Sequence, residues 1–277
     1  MLRAVKNRHT ALLALFTVAL YVCAVAVGLR VVTLNFRMPL IDPPAPKGLA
    51  MWHPPSLASV PNGSKGDSIR LGEKIFNQTP LYAAAHVGGK VSCDDCHAGG
   101  GTQPLASPMV GMPAAFPMYS ERAKRKITLK DRIQECFVRS ENGKPLDDDG
   151  VEMRAVVDYI TWLSQPQPRM APYTGRGLVK LPNLTGDPRH GERIYDAQCS
   201  GCHGDKGEGR WPNPPLWGAD SFNDGAGMHG VPKMAAFVQQ NMPANRKGML
   251  TPQEAYDVSA FIHTQPRPAF NTTYAHF

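Results

Sequence analysis

A chain of 277 residues with a formal net charge of +7 has room for two domains of ordinary size. Part of that charge sits at the N-terminus (Arg3, Lys6, Arg8) and the rest is spread along the chain, which makes no case for a nucleic-acid-binding role. The 26 glycines and 26 prolines favour short helices joined by loops around a cofactor over long idealised helices.

Residues 1–34 read as an N-terminal membrane anchor or signal segment. Ala11 to Leu29 carries no charge and is longer than a usual signal core, so the length leans towards a retained spanning helix. The basic tail then places the N-terminus in the cytoplasm and the remainder in the periplasm. Cleavage after Ala24-Val25-Ala26 is the competing reading. Residues 35–65 are Pro-rich and read as an extended tether.

A helix is expected from about Asp67 through Phe76. It leads towards Cys93-Asp94-Asp95-Cys96-His97, a C-x-x-C-H motif, and the chain repeats it at Cys199-Ser200-Gly201-Cys202-His203. Two thiols at this spacing add to the two vinyl groups of one haem, and the histidine binds the iron. A single copy could be half of a zinc site; two copies in similar surroundings predict two covalently attached c-type haems. Their four propionates would roughly cancel the charge outside the N-terminal tail.

Residues 98–120 read as loop, Ile127 to Val138 as a helix, and Asp149 with Glu152 as the capping pair of another. On the latter Met153, Val156, Val157, Ile160 and Leu163 recur at helical spacing, which reads as domain core. After a linker at 167–187 the pattern starts over. Gly191, Ile194 and Tyr195 precede the second motif as Gly72, Ile75 and Phe76 precede the first, and Thr251 with Glu254 caps a last helix. The expectation is an all-α protein with two tandem cytochrome c-like haem domains, at 66–166 and 188–277, after the membrane helix.

The ligand on the other side of each iron sets potential and reactivity. For the second haem Met242, in Asn241-Met242-Pro243, is the leading candidate, ahead of Met228, Met234 and Met249, with Lys233 and Lys247 as competitors. For the first, Met109, Met112 and Met118 lie in a Pro-rich loop, but Cys136 has no evident disulfide partner and stands among Arg132, Arg139 and Ser140. It follows His97 at about the distance that separates Met242 from His203, roughly 40 residues. Cationic neighbours are expected to lower its thiol pKa.

The run Arg132-Ile133-Gln134-Glu135-Cys136-Phe137-Val138-Arg139-Ser140, with Asn142-Gly143-Lys144-Pro145-Leu146, Met153 and Asp158-Tyr159-Ile160-Thr161-Trp162-Leu163, resembles the thiosulfate dehydrogenases. The resemblance spans about residues 65–265 and implies a periplasmic dihaem cytochrome c that oxidises two thiosulfates to tetrathionate, or runs the reverse. It further implies that Cys136 is the distal ligand of the catalytic haem and that Arg122, Arg132 and Ser140 hold the anionic substrate, Arg122 being the looser match beside Lys124 and Arg125. It leaves the distal ligand of the second haem open between methionine and lysine. Electrons would leave through that haem to a small cytochrome c or similar carrier. A plain electron-transfer cytochrome is the alternative; it predicts a Cys136 buried without charged neighbours. A related sulfur-oxidising cytochrome that conjugates thiosulfate to a carrier protein is a further enzymatic rival.

Overall fold

The computed structural model describes residues 54–165 and 175–277. The expected anchor, most of the tether and the start of the linker lie outside these. Among the described residues no helix is long and apolar enough to cross a membrane.

The described chain is helical apart from one small hairpin. Among the described residues its longer helices are α1 (Ser64–Asn77), α2 (Leu129–Arg139), α3 (Val151–Leu163), α4 (Pro188–Gln198), α5 (Val231–Asn241) and α6 (Pro252–Thr264). Strands β1 (Met118–Ser120) and β2 (Arg125–Ile127) pair antiparallel just before α2; β1 ends the 98–120 stretch expected to be loop, and β2 takes Ile127, where a helix was expected to begin. The caps follow local chemistry. Thr128 and Asp131 form a capping box at the start of α2, and Thr251 and Glu254 form one at α6, as expected. The expected Asp149/Glu152 cap of α3 is not formed: Gly150 is the N-cap, without a side-chain bond, and Asp149 reaches Lys130 instead.

Two halves repeat one design. In the first, α1 crosses α3 where Gly72 faces the carbonyl of Ala155; a Cβ on Gly72 would lie 2.0 Å from that oxygen. In the second, α4 crosses α6 where Gly191 faces the carbonyl of Asp257, again 2.0 Å from a would-be Cβ. Only glycine allows so close a crossing. Each crossing seals its own apolar core: Ile75, Phe76, Val156 and Ile160 in the first half, Ile194, Tyr195, Val258 and Ile262 in the second.

The halves are joined by polar contacts. The Asn223 amide donates to the carbonyl of Val138 (2.9 Å) and to Asn142 (3.1 Å), and its backbone N–H donates to the carbonyl of Arg139 (3.1 Å). On another side Asn241 donates to the carbonyl of Leu105 (3.1 Å), and Lys247 donates to Gln103 (2.7 Å).

Candidate active site

Helix α2 presents Arg132 and Cys136 one turn apart, and Ser140 caps its end one turn further on. A spacing of four puts the three in one stripe. On the other side of the helix the buried Gln134 fixes the following loop by exchanging hydrogen bonds with the backbone of Leu146 (2.8 Å each way). The stripe is therefore held from behind.

It faces a cavity of about 310 Å³ that is also lined by Cys93, Cys96 and His97. After His97 three glycines with positive φ, Gly99, Gly100 and Gly101, turn the chain back. The loop then passes the imidazole, and the carbonyl of Ser107 lies 2.7 Å from its Nδ1. That bond requires the proton on Nδ1 and leaves Nε2 for a metal. Burial pushes the His97 pKa down to about 4, with the Ser107 bond opposing and the Arg132 charge assisting, so the ring is neutral as ligation needs. In the second half the carbonyl of Pro214 sits 2.9 Å from Nδ1 of His203, and burial likewise lowers the pKa of that ring.

The residues present thus fit a c-type haem: two thiols and a neutral, oriented imidazole open onto an apolar cavity faced by Phe76, Val156 and Ile160. Cys136 opens onto the same cavity. The structure brings Cys93, Cys96, His97, Arg132, Cys136 and Ser140 together. Arg122 is exposed and not part of the lining, yet its charge reaches Cys136, whereas Lys124 is paired with Glu121 (3.1 Å) and Arg125 with Asp131 (3.0 Å).

Two expectations change here. Burial pushes the Cys136 thiol up; Arg132 and Arg122 pull it down, while Glu141 and Glu135 add to the rise, and burial wins. The arginines alone therefore do not make a thiolate. Arg139 is not a member of the stripe: it does not line the cavity and is buried against the ring of Phe270. The sequence reading also missed acidic residues. Glu135 binds Arg132, and Glu141 is 2 % exposed, lines the cavity and is held well above the usual carboxylate range by burial and by the Asp95 charge. Arg176, from the linker, lines the cavity too. No motif flags such residues, because their roles depend on how the chain returns to the site.

Among the methionines, Met109 and Met112 line the cavity, whereas Met118 is 44 % exposed on β1. In the second half Met242 caps the end of α5 against the core, and Met234 is buried in that core. Lys247 is engaged with Gln103, and Lys233 lies within reach of the charges of Arg132 and Arg122.

Comparison with known proteins agrees with this architecture. Residues 78–168 match the family described as SoxA/TsdA, cytochrome c domain, and residues 186–262 match cytochrome C oxidase, cbb3-type, subunit III. A thiosulfate dehydrogenase of Allochromatium vinosum is 40 % identical over 78 % of this chain and 84 % of its own. The chain belongs to the thiosulfate dehydrogenase family. A second member, from Psychrobacter arcticus, is 37 % identical over 77 % of this chain and 68 % of its own. The solved structure of the thiosulfate dehydrogenase TsdBA from Marichromatium purpuratum, in its "as isolated" form, superposes with a TM-score of 0.75 at 37 % identity. That match covers 78 % of this chain and 50 % of the other, so this chain spans about half of that larger protein. Family membership assigns two cytochrome c domains and haem c to the chain.

Proposed function

We propose that the chain is a dihaem cytochrome c that joins two thiosulfate ions into one tetrathionate, the reverse direction included. One haem is bound through Cys93 and Cys96 with His97 and Cys136 as iron ligands. The other is bound through Cys199 and Cys202 with His203 and Met242. In this reading 66–166 is the catalytic domain, 188–277 the electron-transfer domain and 167–187 the linker; 35–65 is a tether, and 1–34 holds the chain to the periplasmic side of the inner membrane or is removed on export.

The observation that carries the reading is Cys136 opening onto the cavity of Cys93, Cys96 and His97, with Arg132 and Ser140 one turn to either side. Two dianions repel each other, and that repulsion is the main obstacle to joining them. Arg132, oriented by Glu135, and Arg122 offer fixed guanidinium charge to the sulfonate oxygens. Ser140 offers a hydroxyl donor. Such preorganised charge counts for more here than a proton donor, since the reaction moves no proton. Two dianions become one dianion, and two electrons leave. The bound haem supplies the acceptor for those electrons, and the second domain passes them to an external carrier such as a small cytochrome c.

The charged groups around Cys136 speak against the plain electron-transfer alternative, which has no use for them. The test is Cys136→Ala in a thiosulfate–ferricyanide assay, repeated with tetrathionate and a reductant. Both haems retained with turnover down by about two orders of magnitude or more is the expected outcome. Turnover at the wild-type rate contradicts the catalytic assignment.

A further inference from the structure

Among the described residues that line the Cys136 cavity, two carry a permanent positive charge, Arg132 and Arg176. Arg132 shares a helix with Cys136 and belongs to the substrate side. Arg176 comes from the linker between the halves and reaches the cavity from another direction. Its neighbours fix it: the carbonyl of Gly175 accepts from the N–H of Leu105 (2.6 Å), and the carbonyl of Gly177 accepts from the N–H of Ser107 (2.8 Å). Ala106, between them, bridges to Leu178 and is fully buried. Ser107 is also the residue whose carbonyl orients His97. Arg176 is therefore clamped to the loop behind the histidine ligand.

A haem placed with its former vinyl groups at Cys93 and Cys96 has its two propionates at the other edge of the ring. Those carboxylates call for a cation in the cavity lining, and Arg176 is the one that the helix of Cys136 does not carry. We propose that Arg176 is the partner of the propionates of the haem held by His97. The linker then has a chemical task beyond joining the domains: it closes a positive charge over the catalytic cofactor. This rests on the reading of His97 as an iron ligand given above.

Removing a cation beside a haem favours the ferric form, because that form carries the additional positive charge. Arg176→Gln and Arg176→Lys, made in the full haem-loaded chain, are compared with wild type by spectroelectrochemical titration of the Cys136-ligated haem. Intact mass counts the attached haems in the same samples, and the KM for thiosulfate is measured alongside. The expected result is a midpoint lowered in Arg176→Gln, lowered less in Arg176→Lys, and a KM unchanged in both. Lysine keeps the charge but cannot make two parallel bonds to a carboxylate. If Arg176→Gln does not accumulate, the lysine variant decides alone: a wild-type midpoint overturns the proposal. A raised KM with an unchanged midpoint also overturns it and moves Arg176 to the substrate. A wild-type chain without haem on Cys93 and Cys96 is a different failure, that of the proposed function itself.

Discussion

The guanidinium of Arg139 lies over the ring of Phe270, 3.9 Å from its centroid, and Nη2 donates to the carbonyl of Phe277 (3.1 Å). Arg139 stands three residues after Cys136, but the C-terminal segment of the second half occupies it. Arg139→Gln is expected to leave the KM for thiosulfate unchanged and to lower the thermal stability by about 0.5–2 kcal/mol, the range of a desolvated cation–ring contact. Kinetics and a melting curve on one preparation separate this from a substrate role, in which KM rises and the melting point stays.

Arg132 is the contrasting case. It opens onto the cavity and is braced by Glu135. Arg132→Gln is expected to cost about 1.5–3 kcal/mol of charge-assisted binding, roughly ten- to a hundredfold in kcat/KM. Arg132→Lys recovers only part of that, because a point charge does not match the fork of a guanidinium. Steady-state assays over a range of thiosulfate concentrations check this; equal kcat/KM in all three proteins rejects Arg132 as a substrate residue.

The paired crossings at Gly72 and Gly191 predict matched effects. Alanine at either position pushes a methyl to 2.0 Å from a carbonyl oxygen, so the helices must part. Each substitution is expected to cost about 1–3 kcal/mol or more. Thermal melts followed by circular dichroism read the loss, and a wild-type melting point in either variant denies that crossing its structural role.

Acid sensitivity has an identifiable contributor at Asp257. Burial alone would raise the pKa of this carboxyl. The backbone N–H of Asp187 (2.7 Å) and the side chains of His190 (2.7 Å) and Gln253 (2.7 Å) outweigh it and hold the pKa below the ordinary 3.8. A depressed carboxylate stabilises the fold above its unfolded pKa, and that contribution is lost as the pH falls through the lower folded value. The melting point of the wild type is expected to fall more steeply below pH 3.8 than that of Asp257→Asn. Parallel curves contradict the assignment.

Much of the fold was legible because it depends on local signals. The two C-x-x-C-H motifs, the Thr251/Glu254 box and the repeated Gly–Ile–aromatic run before each motif are all short-range patterns, and the structure realises them. Arg132, Cys136 and Ser140 were legible as candidates, but their shared face was not, because the helix was expected to end at Val138 and Arg139 was grouped with them. What was not legible depends on distant segments meeting. The hairpin before α2 needs a turn at Lys124 with φ of 53°, which no glycine announced. Arg139 is diverted by Phe270 and Phe277, and Arg176 returns through backbone pairing with Leu105 and Ser107. The rise of the Cys136 thiol comes from burial, which the composition of its neighbours does not reveal.

The central claim is that the sulfur of Cys136 binds the iron held by His97. Low-temperature electron spin resonance of the oxidised chain tests it most directly, with wild type and Cys136→Ala each confirmed by mass to carry two haems. The account predicts a low-spin signal of thiolate-ligated haem in the wild type that disappears in the variant, while the signal of the second haem stays. The same two signals in both proteins, neither of thiolate type, would contradict it.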